Sequence, residues 1–348
     1  MGEFWDSSAA VPIVAVVLRP EDLLRPENAG LYCPPGGFYV DPRRPVDRAV
    51  VTHGHGDHAT PGHGSVLATP ETLAIMAERF GAEFSGSTLA APYGRAHSRD
   101  GVEITLHPAG HVLGSAQIAL SWKDLRIVVS GDYKRRRDPT CAAFEPVACE
   151  VFVTEATFAL PVFRHPPDGE EIEKILASLR QFPERTHVVG AYALGKAQRI
   201  IALLREAGFE RPIFLHGALE RLCGLYSRFG VELGALASAM GQGRLAGEIV
   251  LAPPSALVSP WMRRFADPLG AFASGWMAVR ARARQRAVEL PLVISDHADW
   301  DELTSTISEL SPDQTWITHG REEALLRWAE LEGRAARPLL LEEYDEEG

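Results

Sequence analysis

Short apolar runs along the first half of the chain alternate with loops that begin at a polar residue. Their length and β-branched content predict strands rather than helices. The predicted strands are Val11–Leu18, Gly36–Val40, Asp47–Thr52, Ser65–Thr69, Val102–Leu106, Ala116–Trp122, Leu125–Ser130 and Val151–Glu155. Histidines or carboxylates stand at several strand ends, among them His111, Asp132 and Glu155. Because a sheet gathers strand ends at one edge, we expect these side chains to form a single site.

From residue 161 the pattern changes to a regular alternation of helices and strands. Predicted helices are Asp168–Gln181, Gly195–Ala207 and Ala218–Phe229, and predicted strands are Thr186–Ala191, Pro212–Leu215 and Gly247–Ala252. This alternation is typical of a parallel sheet covered by helices. Polar strand ends return after Leu290–Ser295 and Thr315–Thr318, which precede the predicted helices Trp300–Leu310 and Glu322–Glu332. We therefore expect one domain made of residues 1–160 and 290–348, and an inserted α/β domain at residues 161–289.

The composition is that of a soluble globular protein, with 46% hydrophobic and 23% charged residues in a chain of 348. No apolar stretch approaches the roughly 20 residues of a membrane span. The N-terminus lacks the basic region of a secretory signal, so we expect a cytoplasmic protein without a membrane partner. The four cysteines show no CxxC spacing, which argues against both a disulfide framework and a zinc finger.

The formal net charge of −11 argues against a general nucleic-acid binder, because phosphate contacts come from Lys and Arg. Basic residues are nevertheless concentrated locally in the run Lys134–Arg137. A charge run is usually a solvated face. This one directly follows Asp132, at a predicted strand end, so we favour phosphate contact by Lys134, Arg135 and Arg136.

The densest set of metal-ligand side chains follows the strand Asp47–Thr52. His53, His55, Asp57 and His58 lie within six residues, separated by glycines. One ion cannot easily use all four from so short a segment, but two neighbouring ions can. Paired divalent ions suit the hydrolysis of phosphate esters and amides. The alternative is a solvated histidine-rich loop, which the additional candidate ligands at later strand ends make less favourable.

Together with Gly110-His111, Gly114-Ser115 and Gly131-Asp132-Tyr133, this stretch resembles the metal site of the metallo-β-lactamase superfamily. The resemblance implies an αββα sandwich with the metals at one edge, between the sheets. It also implies a division of the ligands between two ions. His53, His55 and His111 would hold one ion, Asp57 and His58 the other, and Asp132 would bridge them.

Three later motifs resemble those of the β-CASP nucleases, in which an inserted α/β domain caps the metal site. Glu155 matches the group's first acidic motif, His297 the second motif, and His319 the third. The resemblance implies that His297 protonates the leaving group and that His319 holds the second ion. The segment Tyr192–Gln198 resembles the group's Gly-x-x-Gln helix start, and on that basis Gly195 and Lys196 are candidates for phosphate binding at a helix N-terminus.

Within this group the chain most resembles the bacterial exonucleases associated with DNA ligase. The matching segments are Phe38–Pro42, Gly131–Arg135 and Gly275–Met277. This implies a DNA exonuclease that acts on single-stranded or frayed ends in repair, with a functional link to an ATP-dependent DNA ligase. A histidine at position 319 is more usual in RNA-processing members, so an RNA substrate remains an alternative.

Two other classes of function are less favoured. A small-molecule hydrolase such as a lactamase would need no cap of about 130 residues, because such substrates are small. A metal-bearing scaffold for a repair complex would have no hydrolytic turnover.

The chemistry implied is in-line hydrolysis of a phosphodiester, with catalytic roles for His297, Asp57 and Glu155. Zinc suits an imidazole-rich site, although manganese or iron would also accept the mixed nitrogen and oxygen ligands. From the residues alone Asp41 allows two interpretations that we weigh equally, a turn-forming residue or a carboxylate that orients a metal-bound histidine. The resemblance implies the second, in which Asp41 and Glu155 orient histidine ligands or His297.

Overall fold

The computed structural model describes residues 18–242, 244–279, 281–282, 288–320 and 322–339, and of His319 the backbone alone. The predicted strand Val11–Leu18 lies outside these residues except for Leu18. Within them the strands form three sheets of six, seven and six members. Elements are numbered below in chain order.

The first sheet contains six strands that follow one another in space as they do in sequence. Its strands are β1 (Arg25–Glu27), β2 (Gly30–Cys33), β3 (Phe38–Val40), β4 (Arg48–Val50), β5 (Ser65–Ala68) and β6 (Thr88–Ala90). The strands β3 to β6 run parallel, so they end at the same edge. Helix α1 (Pro20–Leu23) precedes the sheet, and α2 (Pro70–Phe80) connects β5 to β6. The hydroxyl of Thr69 accepts from the N–H of Thr72 and so caps α2.

The second sheet joins strands from both ends of the chain. Its members are β7 (His97–Arg99), β8 (Val102–Pro108), β9 (Ala116–Trp122), β10 (Leu125–Val129), β11 (Val151–Ala156), β18 (Gln314–Gly320) and β19 (Ala336–Pro338). The predicted hairpin is confirmed, since β9 and β10 pair antiparallel. The strand β18 pairs in parallel with β11, although the whole third sheet lies between them in sequence. The late strands therefore complete a sheet that the early strands begin.

The first two sheets enclose a shared core. Leu31 and Val40 of the first sheet belong to the same buried cluster as Ile118, Val153 and Trp316 of the second. Leu73 and Met76 of α2 pack on the outer side of the first sheet. Two helices, α7 (Trp300–Leu310) and α8 (Glu323–Leu331), contribute to the core on the outer side of the second sheet. The layers are thus helix, sheet, sheet and helix.

The third sheet is wholly parallel, as the alternating pattern predicts. In spatial order its strands are β14 (Leu236–Ser238), β13 (Ile213–Leu215), β15 (Ile249–Ala252), β12 (Thr186–Gly190), β16 (Pro268–Ala273) and β17 (Leu290–Leu292). The helices α3 (Asp168–Gln181), α4 (Lys196–Glu206) and α5 (Gly217–Arg228) pack on one face, and α6 (Pro254–Leu257) packs on the other. Ile75 of α2 and Leu113 also join the core on the α4 side, so the third sheet is packed against the rest of the molecule.

One predicted boundary needs correction. The predicted first domain resumes at residue 290, whereas Leu290–Leu292 pairs with β16 and closes the edge of the third sheet. A three-residue apolar strand carries no pattern that tells which sheet it joins. No helix in the described part of the chain is long and apolar enough to cross a membrane.

Candidate metal centre

The metal-ligand turn leaves the first sheet at the end of β4 and is held there by Asp41. This aspartate ends β3, and its carboxylate accepts from the N–H and the hydroxyl of Thr52, at 2.8 and 2.7 Å. Asp41 adopts a left-handed backbone (φ +44°), a conformation that aspartate tolerates better than most residues. The two parallel strands therefore place Asp41 beside the start of the turn.

Four side chains converge on a first metal position. Nε2 of His53 lies 3.1 Å from Nδ1 of His55, which lies 3.0 Å from Nε2 of His111. Oδ2 of Asp132 lies 3.4 Å from the His53 nitrogen and 3.6 Å from that of His111. Tetrahedral zinc with bonds near 2.05 Å would separate its ligand atoms by about 3.3 Å. These four donors therefore fit an ion of that size.

A second group of donors faces the other oxygen of the same aspartate. Nε2 of His58 lies 3.4 Å from Oδ1 of Asp132 and 3.7 Å from Oδ2 of Asp57. The ligand atoms within each group lie within 4.8 Å of one another. Asp132 thus contributes one oxygen to each position, as a bridging ligand would. The side chain of His319 lies outside the described part of the structure, so its role as a ligand remains a prediction.

Each of the four histidines uses its other ring nitrogen in a hydrogen bond. His58 donates to Asp41 at 2.7 Å, and His53 bonds the Thr52 oxygen at 3.0 Å. Because the single hydroxyl hydrogen of Thr52 points to Asp41, the Thr52 oxygen accepts from His53. The backbone carbonyls of Leu194 and Asp296 accept from His55 and His111, at 3.3 and 2.9 Å. These partners fix the tautomers and direct the other ring nitrogen of each histidine toward the metal positions.

Burial and charge set the protonation of the site. Burial lowers the pKa of His53 and His55, and that of His111 to about 3, so these rings keep an available lone pair. Burial also opposes charge on His58, but Asp132 and Asp41 outweigh it and raise the pKa of His58 well above its usual value. A metal at the second position must therefore displace a proton from His58.

His297 and Glu155 form a pair beside the bridging aspartate. Nδ1 of His297 lies 2.9 Å from Oε2 of Glu155 and 3.9 Å from Oδ2 of Asp132. The other Glu155 oxygen accepts from the N–H of Tyr133 at 2.8 Å. Burial disfavours charge on His297, but Glu155 and Asp132 prevail and raise its pKa to about 9. A protonated His297 is thus held next to the metal positions.

The basic run after Asp132 does not have the surroundings expected of phosphate ligands. Lys134 is buried, donates to the carbonyl of His297 at 3.3 Å and lies 3.8 Å from Glu302. Arg136 is bound to Asp299, Glu302 and two backbone carbonyls. Arg135 pairs with Glu309. Internal carboxylates and carbonyls thus already take up donors of Lys134 and Arg136, so these surroundings do not favour the predicted phosphate contact.

The Gly195-Lys196 pair is also used internally. The N–H of Gly195 donates to the side chain of Gln198 at 2.8 Å, and the ammonium of Lys196 pairs with Asp296. Neither group is left for a bound phosphate. Both residues are predicted from the sequence, but their partners are not. The roles of Thr52 and of the Leu194 carbonyl are not predicted either, because a threonine at a strand end and a backbone carbonyl carry no specific sequence signal.

Comparisons with known proteins give relatives along most of the chain, although no family model matches it. A protein of Opitutus terrae described as a probable DNA ligase is 28% identical over 313 residues, covering 86% of this chain and 30% of that protein. Cleavage and polyadenylation specificity factor subunit 3 of Dictyostelium discoideum is 30% identical over 141 residues, covering 37% of this chain and 18% of that protein. Endoribonuclease YSH1 of Saccharomyces cerevisiae is 29% identical over 137 residues, covering 36% and 17%.

The chain thus spans less than a third of the length of these curated relatives. Among solved structures, a protein of unknown function from Enterococcus faecalis V583 superposes with a TM-score of 0.56. The two are 14% identical, and the match covers 86% of this chain and 80% of that one. This likeness concerns the α/β fold alone.

Proposed function

Because this chain belongs to the β-CASP group of the metallo-β-lactamase superfamily, we propose that it is a two-metal phosphodiesterase that cleaves nucleic acid. One observation carries the proposal. The carboxylate of Asp132 directs one oxygen to each of two donor groups, with the His297–Glu155 pair directly beside it. A phosphodiester needs charge stabilisation on its oxygens and a proton for the departing oxygen, and this arrangement offers both.

Some of the described side chains would hold the metal ions, and others would transfer a proton. His53, His55, His111 and Asp132 would hold one ion, and Asp57, His58 and Asp132 the other. When bound, a pair of divalent ions polarises the phosphodiester and lowers the pKa of water. Glu155 engages Nδ1 of His297, which leaves Nε2 to donate the proton. The imidazole-rich donor set favours zinc, with manganese and iron as alternatives.

The layer order supports a metallo-β-lactamase sandwich with an inserted cap. The third sheet lies between β11 and β18 in sequence, and these two strands are neighbours in the second sheet. A segment inserted between β11 and β18 leaves these two strands paired, so the two-sheet sandwich remains complete. We therefore propose a metallo-β-lactamase domain of residues 1–160 and about 293–348, with the cap extended from the predicted residue 289 to include β17.

Single-stranded or frayed DNA is the substrate we favour, with cleavage from an end. The relative described as a probable DNA ligase matches over 86% of this chain, which includes the cap as well as the metal motifs. Relatives described as endoribonucleases match over about half of the chain or less. Because the cap would meet the nucleic acid, we weight the longer match more heavily. A functional link to a DNA ligase follows from the same relative.

RNA cleavage is the second candidate, and the endoribonuclease names of several relatives carry it. The two metal positions would act on RNA and on DNA alike, since the proposed contacts are to the phosphate group and not to the sugar.

The deciding experiment uses DNA and RNA oligonucleotides of one sequence, labelled in turn at each end. The wild type and Asp132→Ala are compared with zinc or manganese. We expect stepwise loss of DNA by the wild type alone, which also fixes the direction of cleavage. Cleavage of RNA with DNA spared would move the assignment to RNA processing. No cleavage of either polymer under either metal would overturn the nuclease proposal.

A further inference from the structure

Two histidines at the first metal position are oriented by carbonyls that flank the third sheet. Leu194 lies between β12 and α4 and accepts from His55, while Asp296 follows β17 and accepts from His111. By contrast, His53 and His58 are held by Thr52 and Asp41 from the first sheet. The histidines of the first metal position are therefore held both by a residue next to the first sheet and by carbonyls next to the third sheet.

Lys196 connects the two carbonyls. Its backbone N–H donates to the Leu194 carbonyl at 3.2 Å, the same oxygen that accepts from His55. Its ammonium pairs with the carboxylate of Asp296, whose own carbonyl accepts from His111. Both side chains of this ion pair are 5% exposed. The backbone of Lys196 thus reaches His55 through the Leu194 carbonyl, and its side chain reaches His111 through one intervening residue, Asp296.

Close packing leaves this segment little freedom to shift. Gly195, between the two linked residues, has φ +85°, and a Cβ there would lie 2.4 Å from Cγ1 of Val112. Val112 follows His111 directly, so the segment lies against the loop that carries this ligand. Leu194 in turn lies near the turn residue Gly54, where a Cβ would be 3.6 Å from Cδ2 of Leu194.

A buried ion pair adds little to stability by itself, because removing two charges from water costs as much as their attraction returns. An apolar pair of similar volume would serve packing as well. The ion pair adds a fixed orientation and a fixed distance between the Lys196 ammonium and the Asp296 carboxylate. We propose that Lys196 is a positioning residue that holds the carbonyls of Leu194 and Asp296, and so sets metal affinity at the first position. This goes beyond the proposed function, since it holds for any substrate.

The test measures zinc binding by competition with a chromophoric chelator, with no substrate present. Lys196→Met is compared with Arg199→Met, which removes another buried cation from the same helix. Arg199 pairs with Asp138 and Asp168, at 3.3 and 2.5 Å, and touches neither carbonyl. We expect Lys196→Met to raise the dissociation constant of one zinc equivalent roughly 10- to 100-fold. Arg199→Met should leave the dissociation constants of both equivalents within about threefold of wild type.

Equal losses in the two variants would reduce Lys196 to a general stabilising residue and overturn the proposal, as would unchanged affinity in Lys196→Met. Thermal unfolding of the metal-free proteins shows whether each variant folds. If Lys196→Met does not, Asp296→Asn gives the answer, because it removes the charge but keeps the backbone carbonyl and the side-chain volume. Wild-type affinity for both equivalents in Asp296→Asn would equally overturn the proposal. A nuclease assay plays no part, so failure of the proposed function would not affect the outcome.

Discussion

At the scale of single residues, hydrogen-bond partners decide what each histidine does. His58 and His53 follow the same strand, yet His58 lies between two carboxylates, whereas His53 lies between one carboxylate and a hydroxyl. The carboxylates raise the pKa of His58, whereas burial lowers that of His53. Asp41 contacts His58 as well as the start of the turn, as a carboxylate that orients this histidine would.

Replacement of Asp41 by asparagine tests its action on His58. The pKa of His58 is raised in the metal-free protein, so His58 is protonated at neutral pH and zinc must release that proton. In Asp41→Asn this pKa falls, so fewer protons are released on binding, while zinc affinity drops about 10- to 100-fold from loss of the oriented partner. Calorimetry in buffers of different ionisation enthalpy measures both quantities.

The exposed Asp47 provides the matched control, since Asp47→Asn makes the same chemical change directly before the neighbouring strand β4. Its zinc binding and proton release should equal those of wild type. An Asp41→Asn protein that released as many protons as wild type would show that Asp41 does not hold the charge on His58.

Glu155 should govern the alkaline limb of the pH–rate profile through His297. As a proton donor His297 is active below its pKa, so kcat falls as pH rises through that value. Glu155 raises this pKa, and Glu155→Gln should therefore move the limb to lower pH. A displacement of one unit lowers the alkaline rate about tenfold. Glutamine can still accept from the Tyr133 N–H, so the fold should be kept, and superimposable profiles would exclude His297 as the donor.

At the scale of elements, the polar ends of parallel strands build the site. The strands β3 and β4 end side by side and supply Asp41 and the metal-ligand turn, and β11 supplies Glu155 at its end. Asp299 caps the N-terminus of helix α7, since its carboxylate accepts from the N–H of Glu302 and also binds Arg136. Its N-terminus thus fixes the end of the loop that carries His297.

Two glycines at helix starts differ sharply in their surroundings and allow a paired prediction. Gly195 has φ +85° and no room for a Cβ beside Val112, whereas Gly217 has an ordinary φ and open space. Gly195→Ala should destabilise the fold by about 1–3 kcal/mol, because strain and overlap add. Gly217→Ala should be neutral or stabilising by about 0.4–1 kcal/mol. Urea unfolding of the metal-free proteins measures the difference, and equal midpoints would contradict the strained geometry.

Much of this arrangement is predictable from sequence. The length and composition of apolar runs predict the strands, and the spacing of apolar residues predicts the helices. The predicted bounds of α3 and α7 coincide with those observed, and the side chains brought together are those at predicted strand ends. Prediction fails where a residue's environment is non-local. Leu290–Leu292 could join either sheet, and Lys134 has the same sequence appearance whether it meets solvent or Glu302.

At the scale of the whole molecule, the charge balance shows how cations are used. The formal net charge is −11, and buried carboxylates neutralise Lys134, Lys196 and Arg199 within the fold. These cations contribute nothing to a surface that attracts a polyanion. The proposed affinity for nucleic acid would then rest on the metal positions and on other, exposed cations.

Lys134→Met distinguishes a buried structural cation from a phosphate ligand. Loss of a phosphate contact would reduce the slope of log K against log salt by about one. We expect an unchanged slope for a single-stranded oligonucleotide measured with EDTA, which prevents cleavage. The midpoint of unfolding should fall, because Glu302 and the His297 carbonyl lose their partner. A slope reduced by about one would restore Lys134 as a phosphate contact.

The parallel pairing of β11 with β18 has a consequence for the time at which the protein can acquire its metal. During synthesis the ligand turn leaves the ribosome early, but β18 emerges only after the whole third sheet has been made. Until then the edge of β11 next to Glu155 has no neighbour, and Leu194 and Asp296 arrive late as well. A nascent chain therefore presents histidines before it presents a rigid site. Stable loading should await the emergence of β18 and its pairing with β11.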